Sequence, residues 1–132
     1  MARNQMVEMG RQGVAREATP GPIDMVHLEQ QSLGDPGLQE EVLRLYSQMS
    51  GVYLSRIESS SSTEDLIRHL HTLKSAAAGI GAFEVRDLAK HAEDALREGH
   101  PVNPEHIEAI ATAVVECQEY IAALVEAPGD AG

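Results

Sequence analysis

The residues best able to do chemistry in this chain of 132 residues lie in one stretch, His71-Thr-Leu-Lys74-Ser75-Ala-Ala-Ala78-Gly-Ile-Gly81. A solvent-accessible imidazole, with an ordinary pKa of about 6.5, is largely neutral near pH 7 and keeps a nucleophilic lone pair on one ring nitrogen. Lys74 follows three positions later, one helical turn away on roughly the same face. Ser75 and Ala78, at +4 and +7, continue that stripe with little bulk. The histidine therefore stands on a cleared surface beside a positive charge, an arrangement suited to carrying a phosphoryl group. A merely solvated helix face has no reason to exclude large polar side chains around one imidazole while keeping a lysine.

His71 lies off the apolar seam of its own helix, which reads Leu66, Leu70, Leu73, Ala77, Ile80 at steps of four and three. His69 is two residues away, about 200° around the helix, so the two histidines cannot share a metal ion on one face. Other chemistries lack their residues. Lys74-Ser75 echoes the end of a phosphate-binding loop, but Leu70, His71, Thr72 and Leu73 stand where its glycines should precede it. Gly79-x-Gly81 is too short for a dinucleotide fingerprint, and no His-Glu-x-x-His or cysteine cluster offers a zinc site. His27, His91, His100 and His106 read as ordinary surface or packing residues. Nothing outside the helices offers a place for ATP, so a phosphoryl group is expected to come from another protein.

Taken together, His71, Lys74 at +3, small residues at +4 through Ala78, Ile80, Gly81 at +10 and a following amphipathic helix carrying Ala92-Glu93 resemble the histidine-containing phosphotransfer (HPt) domains of bacterial phosphorelays and chemotaxis histidine kinases. The resemblance extends more loosely from about Ile23 to Val125. One departure is Ser75, where the family more often has glycine; serine is small enough to keep the pattern. The resemblance implies that His71 is the phosphorylated residue, exchanging its phosphoryl group with aspartates of response-regulator receiver domains and a (hybrid) histidine kinase. It also implies that Lys74 offsets phosphate charge and that Glu93 matches the glutamate that hydrogen-bonds and orients the imidazole. Read from spacing alone, Glu93 can equally form an i,i+4 pair with Arg97, and Lys74 can be a solubilising charge. No cofactor is expected on this chain, with Mg²⁺ on the partner receiver. Ile67, Ser75 and Ala78 are the expected docking patch. The competing reading is a helical module that binds or sequesters a receiver without carrying phosphate.

The elements that must position these residues read as helices throughout. Residues 1–22 show no helical or strand period and end in Pro20-Gly-Pro22, which suggests a disordered tail. Asp24 is placed to cap a short helix through about Leu33. Pro36 suits the first turn of a second helix, with Leu38, Val42, Leu45, Met49 and Val52 as its buried stripe, running to about Glu58. Ser59–Ser62 reads as a linker, and Thr63 is the expected cap of the motif helix, with Gly79 and Gly81 at its end. A fourth helix covers about Phe83 to Arg97, with Val85, Leu88, Ala92 and Ala95 inward. A fifth runs from Pro104 to about Ala127 on Ile107, Ile110, Val114, Cys117, Ile121 and Leu124. Residues 23–127 then form one all-α domain, an antiparallel up-and-down four-helix bundle with a short additional N-terminal helix, and 128–132 a flexible C-terminus. Four long helices complete a bundle within one chain, which favours a monomer over a dimer that builds the bundle from two chains.

The global numbers agree with a single small domain. Lys+Arg 10 against Asp+Glu 21 gives a formal charge of −11, which argues against nucleic acid or an anionic membrane as partner. A single cysteine, Cys117, excludes an internal disulfide framework and fits a reducing compartment. With no apolar run of membrane-spanning length and no signal-peptide core, a cytoplasmic location is expected.

Overall fold

In the computed structural model, which describes residues 21–125, five helices follow one another and no strand occurs among the described residues. They are α1 (Met25–Gln31), α2 (Pro36–Ser59), α3 (Thr63–Ile80), α4 (Phe83–Arg97) and α5 (Pro104–Val125). Short connections make α2 to α5 the antiparallel four-helix bundle expected, with α1 as the additional short N-terminal helix packed on α3. Residues 1–20 of the expected tail and the expected C-terminus at 128–132 lie outside the described residues. No helix among the described residues is long and apolar enough to cross a membrane.

Side-chain caps and proline fix the helix starts. Asp24 accepts from the His27 N–H at 3.1 Å, and Asp35 accepts from Gly37 N at 2.9 Å and Leu38 N at 3.2 Å, with Pro36 in the first turn of α2. At α3 the cap is Ser62, one residue before the expected Thr63. Ser62 is extended, and its hydroxyl accepts from Asp65 N at 3.1 Å. Either hydroxyl residue can cap; the turn of the chain decides in favour of the one that reaches the third helical N–H. Gly81 closes α3 in the left-handed region at φ 91°, while Gly79 stays inside the last helical turn.

The core seam of α3 lies where the sequence places it, with Leu70, Leu73, Ala77 and Ile80 buried and Leu66 half-buried. On α4, Val85, Ala89, Ala92 and Glu93 are buried, while Leu88 and Ala95 are half-buried. On α5 the core runs Ile110, Ala113, Val114, Cys117, Ile121, with Ile107 half-buried and Leu124 exposed in the last turn beyond it. The α2 stripe departs from expectation. Leu43, Tyr46, Ser50 and Ile57 are buried, Val42 and Met49 are half-buried, and Leu38, Leu45 and Val52 are exposed. The inward seam is the expected one shifted by one residue, a rotation of about 100°.

The N-terminal segment seats α1 on the corner between α3 and α4. Ile23 and Leu28 are buried in the core, Asp24 N donates to Gly81 O at 2.9 Å, and the His27 ring meets Phe83 edge-on at 5.2 Å. On the other side, the Cys117 thiol points at Pro22 O at 3.8 Å. Burial, aided by Glu84 and Glu116, pushes that thiol up to about 11, so Cys117 is a packing residue rather than a nucleophile.

Candidate functional site

α3 and α4 form the most extensive helix pair, and the alanines buried along them, Ala77, Ala89 and Ala92, let two helices approach closely. Across this interface a side chain on one helix reaches a side chain on the other. Glu93, adjacent to the inward Ala92, is 3% exposed, an uncommon position for a carboxylate and one that requires partners.

It has three. His71 Nδ1 lies 3.0 Å from Glu93 Oε2, and the Arg97 guanidinium contacts that same oxygen through Nε at 2.9 Å and Nη2 at 2.8 Å. The Lys74 ammonium is 2.9 Å from Oε1, an ion-pair contact without the alignment of a directed hydrogen bond. Burial alone would raise the carboxyl's pKa. The contacts from Lys74, Arg97 and His71 more than offset that and hold it at about 2. Glu93 is therefore ionised at every working pH and can only accept, so the proton between it and the imidazole belongs to His71 Nδ1. The ring is 54% exposed, and its Nε2 makes no hydrogen bond among the described residues. A neutral imidazole so held offers its remaining lone pair to solvent.

The structure thus brings His71, Lys74 and Glu93 together. The two readings of Glu93, imidazole partner or i,i+4 partner of Arg97, coexist on one oxygen. Arg97 is the group whose part in the cluster sequence reasoning missed: its spacing from Glu93 was visible, but not that a buried carboxylate would hold it against the imidazole. Around His71 on α3, Ser75 is exposed, and Ile67 and Ala78 are half-buried. The remaining histidines stand apart. The His69 ring packs against Tyr53 of α2 at 6.1 Å, His27 Nε2 lies 3.3 Å from Gly79 O, and His106 Nε2 lies 2.8 Å from Leu88 O beside His91. Among the described residues no three His, Cys, Asp or Glu side chains converge as a metal site requires.

A family model described as the Hpt domain matches residues 39–127. A crystal structure of the histidine phosphotransferase ShpA from Caulobacter crescentus is similar in fold, with a TM-score of 0.63 and 24% sequence identity over 80% of this chain and 92% of that one. No curated protein matches the sequence at a significant level.

Proposed function

Because this chain belongs to the Hpt domain family and so serves histidine phosphotransfer in two-component phosphorelays, we propose that His71 is the residue that carries the phosphoryl group. The observation that carries this reading is the 3.0 Å contact of Nδ1 with an ionised Glu93, on a ring whose Nε2 is left free in an exposed side chain. Nε2 attacks the phosphorus of an acyl phosphate on a receiver aspartate. The N–P bond forms as the P–O bond breaks and the aspartate leaves as carboxylate; onward transfer is the same exchange in reverse, to a second aspartate. The positive charge that the ring acquires on bonding to phosphorus lies against Glu93 and is stabilised there. Lys74, held at the other carboxylate oxygen, adds positive charge on the side of the transferred group. Mg²⁺ on the receiver would supply charge neutralisation from the partner's side. Ile67, Ser75 and Ala78 form the surface on which the receiver closes, and the chain acts as a monomer.

The test is incubation of the full chain with a phosphorylated receiver, followed by a search for acid-labile, base-stable label. His71→Gln should lose all label yet stay folded, at a cost of about 1–2 kcal/mol for the lost contact with buried Glu93, since Lys74 and Arg97 still hold that carboxylate. His69→Gln should transfer normally. Undiminished label on His71→Gln would move the site elsewhere, and a parent that binds the receiver but never takes label would be a sequestering module.

A further inference from the structure

A buried carboxylate beside an imidazole carries a risk for nucleophilic chemistry. An uncompensated carboxylate charge 3.0 Å from an imidazole would favour its protonated form, and an imidazolium has protons on both nitrogens and no lone pair for phosphorus. The orienting contact by itself would thus tend to disable the group it orients. Glu93 is not alone with the ring, however. Its one negative charge faces two cations, and Arg97 sits on the oxygen that His71 uses, with both guanidinium contacts made to Oε2.

From this sharing we infer that Arg97 is a positioning residue, acting through Glu93 to keep the His71 ring neutral, with its proton on Nδ1 and its lone pair on Nε2. The inference deepens the phosphotransfer reading and rests on it. Arginine suits the task because its guanidinium stays charged at any working pH and holds a fixed planar fork. Other charges do not substitute for it. Lys74 contacts the opposite oxygen, Arg68, one turn before His71 on α3, is paired with Asp65, and Lys90, on the same helix as Glu93, is paired with Asp94 at 2.6 Å. From α1, His27 reaches Gly79 O, two turns along α3 from His71, and from α2, Tyr53 and Arg56 lie together where His69 packs, off the His71 face. An arginine whose charge was screened from the ring by solvent would hold the fold without affecting how the imidazole titrates, and that difference is measurable.

The experiment is an NMR titration of the imidazole nitrogens in the full, unphosphorylated chain, with His71→Gln used to assign the His71 signals. In Arg97→Gln the His71 midpoint should move up by about one pH unit, because one opposing cation has been removed from its carboxylate partner. Arg97→Lys, which keeps the charge, should bring the midpoint most of the way back to that of the parent. Phosphorylation by phosphoramidate should follow the ring: the acidic limb of the pH–rate profile moves by the same amount, so the variant is about tenfold slower well below its midpoint and parent-like above it. An unchanged midpoint in folded Arg97→Gln overturns the inference, including the case in which transfer falls equally at every pH, which would assign Arg97 to the phosphoryl group itself. A shifted midpoint on a chain that takes no label at any pH would instead overturn the phosphotransfer reading.

Discussion

At the scale of single residues, Glu93 ties the chemistry to the stability of the fold. Its folded pKa of about 2 is depressed from an ordinary 4.5. A depressed carboxylate contributes stability that is fully present above the ordinary value and is lost as pH falls through the folded one. The difference corresponds to about 3 kcal/mol, lost between roughly pH 4.5 and 2. Denaturant unfolding of the parent and of Glu93→Gln should therefore differ at pH 7 and converge across that window. A gap that persisted at pH 2 would mean that the variant loses packing rather than charge. The site was largely legible from residue types: His71, Lys74 and Glu93 were all marked by spacing or by family resemblance, and they do meet. What a one-dimensional pattern could not supply is the number of partners per oxygen. Glu93 serves His71 across the helix pair and Arg97 along its own helix at once, and only burial makes that sharing necessary.

At the scale of elements, turn geometry separates two glycines that look alike in the sequence. Gly81 sits at φ 91°, and a Cβ there would come within 3.0 Å of Asp24 O, the backbone that ties α1 to this corner. Gly79 is in the last turn of α3 with open space around it. Gly81→Ala should destabilise the protein by about 2 kcal/mol, combining left-handed strain with displacement of α1. Gly79→Ala should be neutral or stabilise it by up to about 1 kcal/mol through helix propensity. Thermal unfolding of the two variants reads the difference, and equal losses would show that the corner tolerates neither residue. Helix starts and stops were readable because caps and glycines are local. The face of α2 was not, because two helical stripes offset by one residue compete along it. The all-apolar one, Leu38 to Val52, wins on hydrophobicity, whereas the bundle buries the one containing Tyr46 and Ser50. Ser50 bonds its own helix at Ser47 O, so its hydroxyl is satisfied without water and can turn inward.

At the scale of the whole molecule, the formal charge of −11 is unevenly spread. α5 carries Glu105, Glu108, Glu116 and Glu119 and no lysine or arginine, whereas in α3 and α4 the cations Arg68, Lys74, Arg86, Lys90 and Arg97 nearly balance Glu64, Asp65, Glu84, Asp87, Glu93 and Asp94. The histidine therefore lies on the less acidic side of an acidic protein, where an anionic phosphorylated partner meets less repulsion than it would over α5. Docking and chemistry on that side can be separated at Ser75. It is exposed one turn beyond His71, and its side chain makes no hydrogen bond among the described residues, so a larger residue there should not disturb the bundle. Ser75→Arg would place a long side chain between the imidazole and an incoming receiver. Small donors such as acetyl phosphate or phosphoramidate need only reach Nε2, whereas a receiver must close an interface around the reacting atoms, where a small misplacement costs about a hundredfold in rate. Receiver-dependent transfer should accordingly fall by about that factor, and labelling by a small donor should fall far less. Equal loss by both routes, with the helical circular dichroism unchanged, would mean that the new guanidinium acts on the imidazole or on Glu93 directly and that the receiver docks elsewhere than on Ile67, Ser75 and Ala78.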